Sequence, residues 1–163
     1  MTIFGISGSM ALMLVGFGLR DSIMDIARRQ YQELQHYTGT IIDDEDATDK
    51  ERQELDEFLK NNSQIERYTH VQFTKMSVPR NKSNISVYVY VPENLETFNK
   101  DVTLQDRKTK EKYKLTEAGT VISEKTATLT GLKVGDTMTI TKDGKNYETK
   151  IAAVTENYMG HYI

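Results

Sequence analysis

Three kinds of residue in this sequence could do chemistry, and their spacing argues against an enzyme. None of the histidines, His36, His70 and His161, has a metal-ligating neighbour three or four positions after it. The acidic run from Asp43 to Asp46 lacks the alternating ligands and the central glycine of an EF-hand loop. There is no cysteine and no glycine-rich phosphate-binding loop. We therefore expect a non-catalytic protein that binds neither a metal ion nor a cofactor.

A basic segment is the remaining candidate for ligand binding. It contains the cationic side chains Arg107, Lys108, Lys110, Lys112 and Lys114. Such a segment could meet anionic headgroups or cell-wall polymer. Lysines on an exposed edge strand also discourage association between sheets, and we favour this second interpretation. The formal net charge of −3 argues against a nucleic-acid partner.

The first nineteen residues dominate the sequence because they carry no charge, whereas all 21 basic and 24 acidic side chains lie beyond them. A helix over residues 2–19 would be about 27 Å long, close to the thickness of the hydrocarbon core of a bilayer. A buried soluble helix would be unusual here, since each of the four glycines costs about 1 kcal/mol relative to alanine. We therefore predict a transmembrane helix at residues 1–20.

Small residues recur along one face of this predicted helix, where they would let a second membrane helix approach closely. The predicted packing residues are Gly5, Ser9, Leu12 and Gly16. After the charged pair Arg20 and Asp21, apolar residues continue with a helical period, so a stalk helix is predicted at residues 21–38. The stalk residues that carry this period include Ile23, Ile26 and Leu34.

Residues 39–163 are expected to form one α+β domain. Thr48 and Glu51 have the spacing of a capping box and predict the start of a helix. Alternating apolar and polar residues over 85–91 predict a strand. Ser123 and Gly131 bound another short helix, as its predicted N-cap and its C-terminal stop.

A two-residue turn is the strongest local signal in the last third of the chain. The dipeptide Asp143-Gly144 is typical of a tight β-hairpin. Counting outward from this turn places Ile140 opposite Tyr147. A β-branched residue across from an aromatic one is a favourable cross-strand contact, so the predicted register is consistent with the turn.

Both ends of the sequence resemble the FtsX-like (MacB-like) ABC transporter permeases of Gram-positive bacteria. The segments that carry the resemblance are TIFGISGSMALMLVGFGLRDSI, VISEKTATLTGLKVGDTMTI and ITKDGKNYETKIAAVTENYMGHYI. The most specific points are Ser123-Glu124-Lys125, Leu132, Gly135-Asp136 and the stretch 156–162. The chain departs from the family pattern at Thr126 and Thr130, where leucines are usual, and we expect these threonines to weaken the packing of that helix.

The resemblance implies an α+β fold in which a transmembrane and stalk helix precedes an extracytoplasmic domain. This domain, at residues 39–163, would contain a porter-like βαβ lobe and a smaller inserted β-rich lobe at about residues 80–115. The implied location is the cell membrane of a Gram-positive bacterium, with the polar domain extracellular. The implied partners are a separate cytoplasmic ABC ATPase, a second permease copy or a paralogue, and membrane lipid.

On this interpretation the chain is part of a permease subunit. Its extracytoplasmic domain would couple ATPase motion to the export or extracellular handling of a peptide, lipid or drug-like substrate. The alternative from another class is a membrane-anchored extracellular binding or sensor module, or a regulator of cell-wall hydrolases, without transport. Further hydrophobic spans encoded after residue 163 would favour the permease.

Overall fold

A computed structural model describes residues 2–44, 46–80 and 84–158, with the backbone alone for residues 2–4. The chain has an α+β fold with a long N-terminal helix and a mixed sheet, which confirms the α+β class, whereas the porter-like lobe and the inserted lobe stay predictions. The helices are α1 (Thr2–Arg28), α2 (Asp49–Asn61), α3 (Leu95–Asp101) and α4 (Glu124–Thr130). The strands are β1 (Val71–Val78), β2 (Ile85–Pro92), β3 (Leu104–Gln105), β4 (Lys112–Tyr113), β5 (Thr120–Ser123), β6 (Thr137–Lys142) and β7 (Lys145–Thr155).

The side chains of α1 lie in the open. Every side chain from residue 5 to residue 24 is exposed, and Leu12 keeps 75% of its accessible surface. A Cβ atom added at Gly5 or Gly16 would meet nothing within 4 Å outside the helix itself. α1 is therefore stabilised as a helix by its length and its backbone hydrogen bonds, and not by packing against the rest of the chain.

Among the described residues, no helix has both the length and the apolar character that crossing a membrane requires. The prediction of a transmembrane helix at residues 1–20 is corrected accordingly. α1 is long, but its glycines and serines, together with the charged Arg20 and Asp21, lower its apolar character.

The helical segment continues beyond α1 as a π-helical turn, Arg29–Leu34, and ends there. Gln35 is already extended, with φ −112° and ψ 122°, although the stalk helix was expected to continue to residue 38. The reason is a competing backbone interaction, because Gln35 forms an antiparallel bridge with Val102 and the His36 N–H donates to the Asp101 carbonyl at 2.8 Å. These bonds replace the ones that a further helical turn would make.

Five strands form one mixed sheet in the order β2-β1-β6-β7-β5. Neighbouring strands are antiparallel except β5 and β7, which are parallel. Parallel strands need a crossover connection, and here it contains α4 and β6. The predicted β6–β7 hairpin is confirmed: Asp143 and Gly144 have φ of 50° and 76°, and Ile140 lies opposite Tyr147.

The apolar core lies on one face of this sheet. In β2 the side chains alternate as predicted, since Val87 and Val89 are buried and Ser86 is exposed, whereas Val91 at the strand end is also exposed. The buried core cluster consists of Val78, Val87, Val89, Ile122, Met138, Ile140 and Ile151. By contrast, no side chain of α2 is buried, so the core belongs to the sheet and to α4.

Both predicted helix starts are confirmed. The Thr48 side chain accepts a hydrogen bond from the Glu51 N–H, and the Glu51 carboxylate accepts one from the Thr48 N–H at 2.8 Å, which completes a capping box. Ser123 caps α4 by accepting from the Thr126 N–H at 3.2 Å. Gly131 ends α4 with φ 77°, the left-handed conformation that favours glycine.

The two threonines that depart from the family pattern have hydrogen-bonded hydroxyl groups. Thr126 is fully buried, and its hydroxyl lies 2.9 Å from that of Ser123. The Thr130 hydroxyl donates to the Thr126 carbonyl at 2.7 Å. Hydrogen bonding removes the cost of burying these polar atoms, although threonine still fills less apolar volume than leucine.

The range 80–115, expected to contain an inserted lobe, is divided between two sheets. β2 belongs to the five-stranded sheet, whereas β3 and β4 form a separate antiparallel pair with Leu104 opposite Tyr113. α3 lies between these parts in sequence, capped by the Asn94 side chain, which accepts from the Thr97 N–H at 3.0 Å.

We predict that Gly119→Ala destabilises the sheet. A Cβ atom there would lie 2.5 Å from the Lys150 carbonyl oxygen and 3.2 Å from the Ala152 Cβ, so the β5–β7 pair would have to move apart. The free energy of unfolding should fall by about 1–3 kcal/mol, measured by urea titration with tyrosine fluorescence. Gly39→Ala is the control, because nothing lies within 4 Å of its added Cβ. Equal stability of the two variants would contradict the predicted clash.

Candidate functional site

The helical segment is attached to the sheet domain by a set of contacts that we call the helix–sheet junction. It consists of Gln30, Leu34, Thr103, Gln105, Lys110, Glu156 and Tyr158. The π-helical turn supplies the first two residues, the β3–β4 region the next three, and the segment that follows β7 the last two.

Backbone hydrogen bonds form the first layer of the junction. The Thr103 N–H donates to the Leu34 carbonyl at 2.7 Å, next to the bridge between Gln35 and Val102. The His36 ring adds a side-chain contact, since its Nε2 lies 2.9 Å from the Thr103 hydroxyl. The end of the helical segment is therefore held by the strand-like chain that leads into β3.

Gln30 connects the π-helical turn to the end of β7. Its side chain is buried, and its Oε1 accepts a hydrogen bond from the Tyr158 N–H at 3.0 Å. Leu34, one turn further along, is buried as well. A buried amide that satisfies a distant backbone donor fixes both partners, because separating them would leave a polar group without a hydrogen bond in an apolar environment.

The centre of the junction is the carboxylate of Glu156, whose side chain is only 1% exposed. Its Oε1 accepts hydrogen bonds from the Gln105 amide and from the Lys110 ammonium group, the latter at 2.7 Å. Its Oε2 accepts from the Tyr158 hydroxyl at 3.1 Å. The Glu156 N–H in turn donates to the Gln105 carbonyl at 2.8 Å.

These donors control the ionisation of Glu156. Burial raises the pKa of its carboxyl group, but the hydrogen bonds from Lys110, Gln105 and Tyr158 lower the pKa by more, so it lies below the usual value. The carboxylate is therefore charged at neutral pH although it is buried. A charge in this position is stable only while its donors stay in place.

Two members of the basic segment are used inside or beside the junction. Lys110 binds Glu156, and the Arg107 guanidinium lies 5.0 Å from the centre of the Tyr158 ring while its Nε contacts the Glu124 carboxylate at 3.0 Å. Our interpretation of the whole segment as an edge-protecting surface is therefore too simple. These two cations hold the β3–β4 hairpin against the end of β7 and the start of α4.

Charged side chains also brace the boundary between α1 and the π-helical turn. Asp25 contacts Arg28 at 2.8 Å and Arg29 at 2.7 Å, and Arg28 reaches Glu33 at 3.3 Å. Hydrogen bonds from Arg28 and Arg29 lower the pKa of Asp25. Because the Arg29–Asp25 and Arg28–Glu33 pairs span the boundary, they oppose bending where the hydrogen-bond pattern of the helix changes.

The residues selected from the sequence fall into two groups in the structure. Gly5, Ser9, Leu12 and Gly16 lie on exposed α1, and the Ser9 hydroxyl donates to the Gly5 and Ile6 carbonyls within that helix, both at 3.0 Å. Ile23 and Ile26 are exposed too, whereas Leu34 is buried in the junction. The roles assigned to these residues stay predictions.

The histidines and the acidic run take part in ordinary surface contacts where they are described. His70 pairs with Asp56 at 3.1 Å, and Asp43 pairs with Arg52 at 2.7 Å. His161 and Glu45 lie outside the described residues. Within the described ranges, no group of three or more histidine or acidic side chains is arranged to hold a metal ion.

Reasoning from sequence missed Glu156, Gln105 and Gln30 as junction residues. One signal was available for Glu156, because it directly follows the strand 151–155, in which buried and apolar residues dominate. A carboxylate at the end of a buried strand needs a cationic or hydrogen-bonding partner. Its cationic partner, Lys110, lies 46 positions away in sequence, so no local pattern could identify it.

No family model matches the chain, and no curated protein or solved structure matches it either. By its fold and its junction, the chain is an α+β sheet domain that carries a long, exposed helix fixed at one end.

We predict that Glu156→Gln weakens the junction and removes part of its pH dependence. The amide cannot pair with the Lys110 ammonium as a carboxylate does, so the free energy of unfolding should fall by about 1–3 kcal/mol at pH 7. Glu148→Gln, on an exposed position of β7, is the control and should change stability by less than about 0.5 kcal/mol.

The pH dependence has a definite sign. The pKa of Glu156 is lower in the folded than in the unfolded chain, so its ionisation stabilises the fold above the ordinary glutamate value of about 4.3. This stabilisation is lost as the pH falls through the lowered folded-state pKa. Urea titrations between pH 7 and pH 3 should therefore show a smaller acid loss for Glu156→Gln than for the native chain. Parallel curves would show that Glu156 does not act through its charge.

Proposed function

We propose that the chain is the stalk and head of an FtsX-like ABC transporter permease subunit in the cell membrane of a Gram-positive bacterium. In this role the exposed helix packs against the other helices of the transporter and passes their ATP-driven motion to an extracellular head, formed by the sheet domain. The observation that carries the proposal is the combination of an apolar, uncovered helix with a tight polar attachment at one end only.

The first support is the exposed apolar surface of α1. Residues such as Leu12, Leu14 and Phe17 are each at least 60% exposed, with no contact partner that would bury them in the sheet domain. An apolar surface of this kind is typical of a segment that is covered in an assembly. We infer that neighbouring helices of a second permease copy or a paralogue, and membrane lipid, cover it. This part of the proposal does not require α1 to cross the bilayer.

Close approach of a partner helix is sterically open at the predicted packing residues. No atom from outside α1 lies within 4 Å of a Cβ placed at Gly5 or Gly16, and the Ser9 hydroxyl is already satisfied within the helix. Small residues at this spacing allow two helix backbones to pack closely, which is how membrane helices commonly associate.

The second support is mechanical. A continuous helix resists bending, so a displacement along α1 reaches its last turn, where Asp25 and the neighbouring arginines brace the boundary. The π-helical turn passes it on through the hydrogen bonds of Gln30 and Leu34 to Tyr158 and Thr103. Because these bonds are partly buried, they break less readily than exposed ones.

The third support is the architecture of the head. The parallel strands β5 and β7, with α4 between them in sequence, are compatible with the βαβ pattern of a porter-like lobe. The separate β3–β4 pair is a candidate for part of the inserted β-rich lobe. Neither lobe would bind ATP, so a cytoplasmic ATPase subunit is the proposed source of energy.

A flexible insertion tests this coupling. A Gly-Ser-Gly-Ser insertion after Arg28 should separate α1 from the junction, and the same insertion after exposed Gly39 should leave their contacts intact. Both insertions are made in the full-length protein. Each variant is purified from its host in mild detergent, together with any ATPase that copurifies with it. A spin label at Lys145→Cys then reports the distance between heads, and the chain has no other cysteine.

The native complex and the Gly39 insertion should show an ATP-dependent change in the distance between labels. The Arg28 insertion should lose this change while ATP hydrolysis is retained. An ATP-dependent change that survives in the Arg28 insertion would contradict the proposed coupling. Purification without any ABC ATPase would instead favour the anchored binding or sensor module.

A further inference from the structure

α2 is an amphipathic helix without a buried side chain. Its start is fixed by the capping box, so the helix is well defined at that end. Phe58 nevertheless keeps 58% of its accessible surface, and no residue of α2 belongs to the core cluster. Leu55 and Leu59 are partly buried, so Phe58 is the apolar side chain of α2 that stays exposed. An exposed aromatic residue on an amphipathic helix is typical of a docking surface.

One face of α2 lines an open groove with a volume of about 530 Å³. Its lining residues are Glu54, Glu57, Phe58, Asn61, Asn62 and Ser63. Glu54 and Glu57 are three positions apart, so they lie on the same side of the helix. Glu54 also pairs with Lys50 on the same helix, at 3.5 Å. The groove thus offers one aromatic ring beside two carboxylates, which suits a lysine side chain with its apolar stem and cationic end.

The complementary surface is present on the same chain. Arg107 and Lys110 are engaged at or beside the junction, whereas Lys108, Lys112 and Lys114 are exposed and form no ion pair with any described residue. We call the last three residues the free lysines of the hairpin. Within the described part of one chain, the free lysines form no ion pair with Glu54 or Glu57. A contact between these lysines and the α2 groove therefore requires a second molecule.

We propose that the α2 groove of one copy binds the free lysines of the hairpin of a second copy. Each copy carries both the acidic groove and the basic hairpin, so two identical contacts can close around a two-fold axis. Exposed ion pairs contribute little singly, but two symmetric contacts that also cover Phe58 act together. This inference concerns the head and does not rest on the proposed transport function.

Charge reversal tests the pairing. The groove variant carries Glu54→Lys and Glu57→Lys, and the hairpin variant carries Lys112→Glu and Lys114→Glu. All four residues are exposed, so the fold should tolerate these changes. The readout is the disulfide cross-link between copies of the full chain that carry Asn61→Cys and Lys108→Cys, measured in mild detergent. The native chain contains no cysteine, so every disulfide joins engineered residues, and copies that carry only Asn61→Cys or only Lys108→Cys measure the links between like positions.

The expected pattern is specific to this contact. The parent protein should cross-link, and each charge-reversed variant alone should cross-link about tenfold less, since like charges face each other in both contacts. A mixture of the two variants should recover the cross-link, because in a mixed pair each groove meets a hairpin of opposite charge. The chain that carries all four reversals should recover it as well. Lys133→Glu with Lys145→Glu, at exposed sites elsewhere, is the matched control and should leave the yield unchanged.

Three results would overturn the inference. They are absence of a cross-link in the parent protein, an undiminished yield in both charge-reversed variants, and failure of the mixture and of the fourfold variant to recover it. Association through α1 alone would appear as a dimer without this cross-link and would count against the proposed contact. None of these readouts depends on an ATPase, so failure here is distinguishable from failure of the proposed coupling.

Discussion

A single buried carboxylate organises the attachment of the helix to the sheet. Glu156 is charged, nearly inaccessible to water and dependent on hydrogen bonds from Gln105, Lys110 and Tyr158. Burial of a charge is costly unless every lone pair finds a donor. The carboxylate keeps its hydrogen bonds only if the β3–β4 hairpin and the end of β7 stay in fixed positions. The π-helical turn is held in the same arrangement through Gln30. The geometry of the junction follows from that requirement.

The two halves of the chain are stabilised in different ways. The sheet domain has its own core, in which residues such as Ile122 and Met138 are fully buried. α1 has none, since its apolar side chains are exposed from residue 5 to residue 24. The hydrophobic surface of α1 can stabilise the protein only when lipid or another protein chain covers it. The sheet domain can thus be stable by itself while the helix depends on its surroundings.

Local features were predictable from the sequence, and distant ones were not. The capping box at Thr48, the N-cap at Ser123 and the hairpin at Asp143 depend on residues a few positions apart, so their patterns are visible in the chain. The fold class followed from the same signals. The junction depends on contacts such as that of Gln30 with Tyr158, 128 positions apart, and no short pattern encodes them. The end of the stalk was misplaced for the same reason, because pairing with residues 101–103 ends the helix.

The π-helical turn has a consequence for the azimuth of α1. An α-helix advances about 100° per residue, whereas the wider π-helical turn accommodates an additional residue. The number of residues in the π-helical turn therefore determines which side of α1 faces the same way as the buried side chain of Gln30. Removing one residue from Arg29–Leu34 would rotate the Gly5–Ser9–Gly16 face by about 100° about the helix axis without altering the sheet. The phase of this one turn thus determines the direction in which the domain presents its helix to a neighbour.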